Sequence, residues 1–262
     1  MNLRTVSYNL RDGGLDGGTG SAEGWRDDTR LKAQMALLRS LRPDLLALQE
    51  AKWGLHGSSR LKQVAKWLDM TWTSLAPSNF YGCDIAVLVR ESNDLAVTNE
   101  RHLTGPPFVH AHADIELRVT GHVGRLHFMA GHAAPSSPTM RLAESEMVGV
   151  YRHLDVIYVA DFNAAAIGED PDVTGVDPLQ VARKLDTRPA EELAAAGFCD
   201  VGAHVGDRAP TVGHTGQGQL AYRCDRIYTT LPRDRIVGYH VVQEERPLSD
   251  HRPVCADIAV GR

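Results

Sequence analysis

A series of short apolar runs rich in β-branched residues constrains this chain most. They fall at 2–9, 44–49, 84–90, 108–119, 123–130, 154–160, 221–229, 235–242 and 253–260. Their length and alternation suit strands. Helical patterns lie between only some of them. One opens at Asp28 or Thr29, with Leu31, Met35, Leu38 and Leu41 on one face. A second follows Ser58 or Ser59 with Leu61, Val64, Ala65 and Leu68 inward. A third follows Ser137-Pro138, with Met140, Ala143, Met147 and Val150 at helical spacing. Strands alternating with helices pair in parallel, and successive strands pair antiparallel. Both orders occur, so the expected fold is α/β: a four-layer αββα sandwich of two mixed sheets packed face to face, with helices outside.

With 262 residues, 43% of them hydrophobic and 23% charged, the chain suits one globular domain over 1–262 with a sizeable core. Runs such as LLAL and IAVLV are far shorter than the roughly 20 residues that cross a bilayer. The opening MNLRTVSYNL alternates like a strand and lacks the build of a secretion signal. Cys83, Cys199, Cys224 and Cys255 stand singly, as reduced and mostly buried thiols would in a cytoplasmic protein. The net charge of −5 argues against a broad basic face for nucleic acid, but not against a local basic groove or a metal-centred attraction. The stretch GGLDGGTG, 13–20, lacks the Lys-Ser/Thr ending of a phosphate-cradling loop and reads as a mobile surface loop.

Several runs end in an acidic, amide or imidazole residue just past the apolar part. These are Asn9 in VSYNL, Glu50 in LLALQE, His132 in MAGHAAPS, Asp161 and Asn163 in VADFNA, and Asp250 and His251 in PLSDHRPV, while AYRCDRIY places Asp225 within its strand. One such residue alone would be a turn or a cap. Together they form the inventory that phosphoester chemistry needs, because a hard divalent cation prefers a few carboxylate oxygens and keeps room for water and phosphate. Asp161 and Asn163, two apart, point the same way if the chain is extended there.

In that order these blocks resemble the signature blocks of the endonuclease/exonuclease/phosphatase superfamily, which has the deoxyribonuclease-I-like fold, from residue 5 to about residue 258. The resemblance implies a cofactor, Mg²⁺ or Mn²⁺, with Glu50 as its principal ligand and Asn9 and Asp250 near the ion or its waters. It further implies that Asp161 orients and deprotonates the attacking water and that Asn163 bonds the nucleophile or a phosphate oxygen. Asp225 should pair with His251, which donates to the phosphorane, while Asp250 diverges toward the metal. An imidazole beside a carboxylate has its charged form favoured, in keeping with that role. His132 resembles the deoxyribonuclease, sphingomyelinase and inositol phosphatase branches rather than the abasic-site endonucleases. Tyr81 stands where deoxyribonuclease relatives have a phosphate-contacting tyrosine, with plain packing as its alternative. The carboxylate that those relatives pair with the histidine is replaced by Cys83, although Asp84 is adjacent. Lys52, a substrate-side candidate, stands where duplex-cutting relatives often have an arginine, and lysine lacks the planar fork.

Two further groups lie outside these blocks. His110, His112 and Asp114 alternate along FVHAHADIEL, which suits a solvated strand face better than a metal trio. Arg26 and Arg30 in WRDDTR could meet a phosphate, but helix-surface charges usually face water. The favoured activity is a metal-dependent phosphoesterase acting on a small phosphorylated metabolite or phosphodiester. The alternatives are a nuclease acting on DNA or RNA and an inactive scaffold of the same fold. Neither a membrane span nor an obligate protein partner is expected. Substrate choice falls to loops 11–28, 52–60, 102–112 and 164–220.

Overall fold

A strand that is apolar on both sides needs cover on both faces. The run LLALQ at Leu45–Gln49 is buried throughout, and its alternation shows the two covers. Leu45 and Ala47 enter a core shared with Ile85, Ile115, Phe128, Ile157, Ile227 and Ile258. Leu46 and Leu48 enter another, shared with Leu31, Met35 and Leu38 of one helix and Leu61, Val64 and Leu68 of the next. The first core lies between two sheets, and the second between a sheet and its helices.

The computed structural model describes residues 1–17, 27–216 and 218–261. In chain order its elements are β1 (Asn2–Asn9), α1 (Thr29–Leu41), β2 (Leu45–Gln49), α2 (Gly57–Leu68), β3 (Trp72–Ala76), β4 (Ile85–Val89), β5 (Leu95–Leu103), β6 (His112–Val119) and β7 (Leu126–His132). Then follow α3 (Pro138–Gly149), β8 (Asp155–Asp161), α4 (Pro178–Lys184), α5 (Arg188–Ala195), β9 (Cys199–Asp200), α6 (Val201–Val205), β10 (Asp225–Thr229), β11 (Ile236–Val241) and β12 (Val254–Ala259). One six-stranded sheet has the order β11-β12-β1-β2-β4-β3 and the other β5-β6-β7-β8-β10-β9. Each contains one parallel pair, β1–β2 and β7–β8, among antiparallel neighbours. A third core, with Met129, Tyr158, Phe162, Val148 and Leu193, joins the outer face of the second sheet to α3 and α5. The expected four-layer α/β sandwich is the observed one.

Three expectations change in detail. The run 108–119 becomes a strand only from His112, and 221–229 only from Asp225, so Asp225 opens its strand. In α3, Ser137 caps the first turn as read, accepting from Met140 N–H, but the inward face is different. Met147 and Val150 are exposed, whereas Arg141, Glu144, Ser145 and Val148 are buried. The helix covers polar backbone at this end, which an apolar stripe cannot satisfy. Arg141 donates to the carbonyls of Ala134 and Arg183, and Glu144 accepts the N–H groups of Val109 and Ala134 at 2.9 Å each. Burial pushes the Glu144 carboxyl up to about 7 despite those donors. Arg30 is half-buried, with its guanidinium tied into the fold: it bonds the carbonyls of Leu10, Arg11, Leu15 and Leu248 and pairs with Asp16. Arg26 and residues 18–20 of the glycine-rich stretch lie outside the described residues.

Because Glu144 serves a buried donor, Ala134 N–H, and a part-buried one, Val109 N–H, Glu144→Ala should cost roughly 3 kcal/mol, the order expected when such N–H groups are orphaned. Chemical denaturation reads this directly, and a loss under about 0.5 kcal/mol, the range of an ordinary surface substitution, would contradict the clamp.

Candidate active site

Strand register, rather than nearness in sequence, builds the candidate site. Parallel β7–β8 sets His132 beside Asp161, and antiparallel β8–β10 sets Asp225 beside the same residue. Side chains in one row across a sheet share a face, so three titratable groups emerge together at one rim. In the other sheet, parallel β1–β2 brings Asn9 level with Gln49, next to Glu50. The rims touch: Asn9 Nδ2 donates to Asp161 Oδ2 at 2.9 Å and lies 3.4 Å from Glu50 Oε1.

The approach to β12 closes the arrangement. This strand is antiparallel to β1 with Ser7 opposite Val254, so residues 249–251 lie past the end of β1 that carries Asn9. Ser249 Oγ donates to Asn9 O at 2.8 Å, and His251 N–H donates to Ser249 Oγ at 3.2 Å. Both residues precede β12, which begins only at Val254, so the strand alternation expected to make Asp250 and His251 diverge does not apply. His251 Nδ1 bonds Asp225 Oδ2 at 2.8 Å, with its Nε2 3.8 Å from Asp161 Oδ2. Asp250 and His251 line one wall of a cavity of about 310 Å³ together with Asn163.

Asp161 is the hub. Its Oδ1 accepts Asn163 N–H at 2.9 Å and the Cys224 thiol at 3.1 Å, while His132 Nε2 stands 3.4 Å from Oδ2. The extended-chain reading of Asp161 and Asn163 fails in its geometry. β8 ends at Asp161, and Asn163 sits in the left-handed region at φ 49°. A turn closed by the Asp161 side chain, of the kind that Asp favours, holds the two together. Glu50 is also left-handed, at φ 54°, with Oε2 accepting Asp12 N–H at 2.9 Å. That non-glycine backbone points a half-buried carboxylate into the rim, and such strain gathers where side-chain direction matters.

The electrostatics divide the histidines. Burial alone would lower the His251 imidazole, but Asp225 and Asp161 outweigh it and raise it to about 10. Burial lowers His132 to about 4 and His110 to about 3. Burial would raise Asp161, yet the His251 charge and the Cys224 hydrogen bond hold it well below the usual carboxylate range. Burial raises Asp225, and His251 offsets part of that. The site thus pairs an imidazolium with ionised Asp161 and keeps a neutral imidazole, His132, beside them.

The residues fit a divalent cation at Glu50. Its carboxylate is oriented by Asp12 and Asn9, is open to solvent on one side, and offers hard oxygens. Asp161, Cys224 and His251 also bring ligand atoms within 4.8 Å of one another. That trio is a poor cage, because its imidazole is held protonated and burial keeps the thiol protonated.

The other sequence candidates have definite places. Tyr81 is not buried packing: it is 77% exposed and meets Phe80 edge to face at 4.1 Å. Lys52 pairs with Asp12 at 2.8 Å. His110, His112 and Asp114 are buried, so the solvated-face reading is wrong. His110 stacks on His132 at 4.1 Å and meets Ser78 Oγ, whereas Asp114 bonds His127 and Arg101. Period-two alternation looks the same whether the polar side meets water or a polar interior. Asp84, next to the missing carboxylate, reaches His110 only through Ser78, whose N–H it accepts.

Sequence reasoning missed Lys184 altogether. It lies at the end of α4 and donates to Asn163 Oδ1 at 2.6 Å and Pro135 O at 3.1 Å. No motif marks it; only the fold brings α4 back to the rim. Cys224 was read as a buried thiol, and its adjacency to Asp225 was the available signal.

A family model described as the Endonuclease/Exonuclease/phosphatase family matches residues 6–251. No curated protein matches the sequence. Among solved structures, an endonuclease/exonuclease/phosphatase from Beutenbergia cavernae DSM 12333 superposes with a TM-score of 0.70 at 17% identity, covering 99% of this chain and 72% of that one. D. rerio TDP2, humanized by 14 mutations, gives 0.70 at 18% identity with 99% of each chain covered. The mannosyl-6-phosphatase Bt3783 from Bacteroides thetaiotaomicron VPI-5482 gives 0.67 at 16%, covering 98% of this chain and 99% of that one.

Proposed function

The chain belongs to the endonuclease/exonuclease/phosphatase family, and from that premise we propose that it is a divalent-metal-dependent phosphoesterase that cleaves a P–O bond of a small phosphorylated compound by water attack. Members of this family are phosphoric ester hydrolases and generally use divalent ions. The observation that carries the reading is the convergence of Asn9, His132, Cys224 and His251 on the single carboxylate of Asp161.

In this reading Asp161 orients the attacking water and accepts its proton. His251 keeps Nδ1–H on Asp225, which leaves Nε2–H to donate to the phosphorane oxygens. Asn163 has one amide N–H on Ala133 O and its oxygen on Lys184, so its second N–H is available to a phosphate oxygen. His132, neutral and buried, stands beside Asp161 Oδ2 and helps to hold that carboxylate in place. Mg²⁺ or Mn²⁺ at Glu50, with Asn9 and Asp250 toward its waters, would neutralise phosphate charge and lower the pKa of bound water.

Calorimetry with Mn²⁺ tests the metal assignment. Glu50→Gln should weaken binding by at least about 10–100-fold, the loss seen when even supporting residues of metal sites are removed. Unchanged affinity would remove Glu50 from that role. A nuclease reading has one observation in its favour: Tyr81 and Phe80 expose rings beside His110, and bases stack on such rings. D. rerio TDP2 has been solved complexed with single strand DNA product. Salt-sensitive degradation of single-stranded DNA, with no turnover of small phosphoesters, would favour it. Among the described residues no helix is long and apolar enough to cross a membrane.

A further inference from the structure

The cavity beside His251 contains a cation to which neither the sequence blocks nor the family match assigns a part. Lys184 is the one lysine or arginine among its described lining residues, which also include Asn163 and His251. Its position is fixed from two sides. Lys184 O accepts Ala165 N–H at 2.9 Å, tying the end of α4 to the segment after Asn163, and buried Arg141 bonds Arg183 O from beneath. An ammonium has three donors. Asn163 Oδ1 and Pro135 O take two of Lys184's, which leaves one for the cavity.

Beyond Lys184 the lining changes character. Gln180 lies one helical turn earlier on α4, on the same face. Gln219 also lines the cavity, and its Oε1 is occupied by the Thr215 N–H and hydroxyl, so its amide N–H₂ remains to donate. Tyr222, the one aromatic ring among the described lining residues besides the His251 imidazole, is itself buried. Lys184 and His251 as donors, two amides and, among the described lining residues, no further arginine or lysine suit one phosphate carried by a hydroxyl-bearing molecule.

Resting on the phosphoesterase reading, we infer that the substrate is a phosphomonoester of a compact polyhydroxylated molecule, with Lys184 binding a third, non-bridging phosphate oxygen. A monoester dianion presents three such oxygens and a second negative charge. A diester has two and one charge, so it gains less from the Lys184 ammonium while adding a second substituent to accommodate.

The test compares kcat/KM, in Mn²⁺, for sugar and polyol phosphomonoesters and p-nitrophenyl phosphate against bis-p-nitrophenyl phosphate, in wild type and in two variants. Lys184→Gln keeps a donor for Asn163 and removes the charge, and Lys184→Met removes both. Wild type should prefer the monoesters, the sugar or polyol phosphates most. Lys184→Gln should reduce the monoester-to-diester ratio by roughly tenfold or more, the size of one charge-assisted hydrogen bond. A ratio unchanged in Lys184→Gln, or a wild type that prefers the diester, overturns the inference and leaves the phosphoesterase reading standing. If the ratio changes only in Lys184→Met, Lys184 merely positions Asn163, and the monoester assignment falls. Absence of turnover on every ester in wild type would instead sink the phosphoesterase reading.

Discussion

Asp161→Asn should lower kcat by roughly 10²–10⁴-fold, the usual contribution of a positioned acid or base. Three effects act together. An amide cannot take the proton of the attacking water. Its N–H₂ would confront either Asn9 Nδ2, now 2.9 Å from Oδ2, or the N–H of Asn163 and the thiol of Cys224 on the other side. Finally, His251 would lose one of the two carboxylates that keep it charged. Steady-state turnover with Mn²⁺, alongside circular dichroism to show retained fold, reads the outcome. Activity within a few-fold of wild type would show that Asp161 is a structural node and not the base.

His251→Ala should reduce turnover by roughly 10²–10³-fold, the loss expected when one donor to a developing oxyanion is removed. It should also destabilise the protein. Asp225 is fully buried and uses His251 as its charged partner, and removing one member of a buried pair costs about 3 kcal/mol or more. A Tm unchanged by His251→Ala is therefore not expected. His251→Gln keeps a donor for Asp225 and should lose less stability while losing similar activity. The pH dependence separates charge from bulk. The folded pKa of about 10 lies above the ordinary imidazole value of 6.5, so folded protein binds the proton more tightly. The stabilisation is complete below about pH 6.5 and is lost as pH rises through about 10. Wild-type stability should decline across that interval, and His251→Gln should lack that component. Parallel curves for the two proteins would contradict a charged His251.

What the sequence disclosed follows from what each residue meets. β2 and β8 are buried on both faces, so their apolar runs announce them. β5 is an edge strand whose middle faces solvent, and β3 is a short edge strand interrupted by polar residues; neither stood out. The α1 and α2 faces were readable because leucines cover them, whereas α3 buries Arg141 and Glu144, which an apolar count assigns to water. The candidate site was legible through Asn9, Glu50, His132, Asp161 and His251, which flank strand-like runs, and through Asp225, which the sequence set inside a run and the structure sets at the start of β10. Lys184 and the His110–His132 stack depend on register and on the return of α4, which no local pattern encodes.

The central claim is that rims from two sheets form one catalytic centre. A double-mutant cycle on Glu50→Gln and Asp161→Asn, read as Mn²⁺-dependent kcat/KM on a phosphoester, tests it across the interface between the sheets. Groups that act as a unit are strongly non-additive, so the double variant should be about as slow as the slower single one. Losses that multiply, or a variant of either residue that keeps wild-type turnover, would contradict a shared centre.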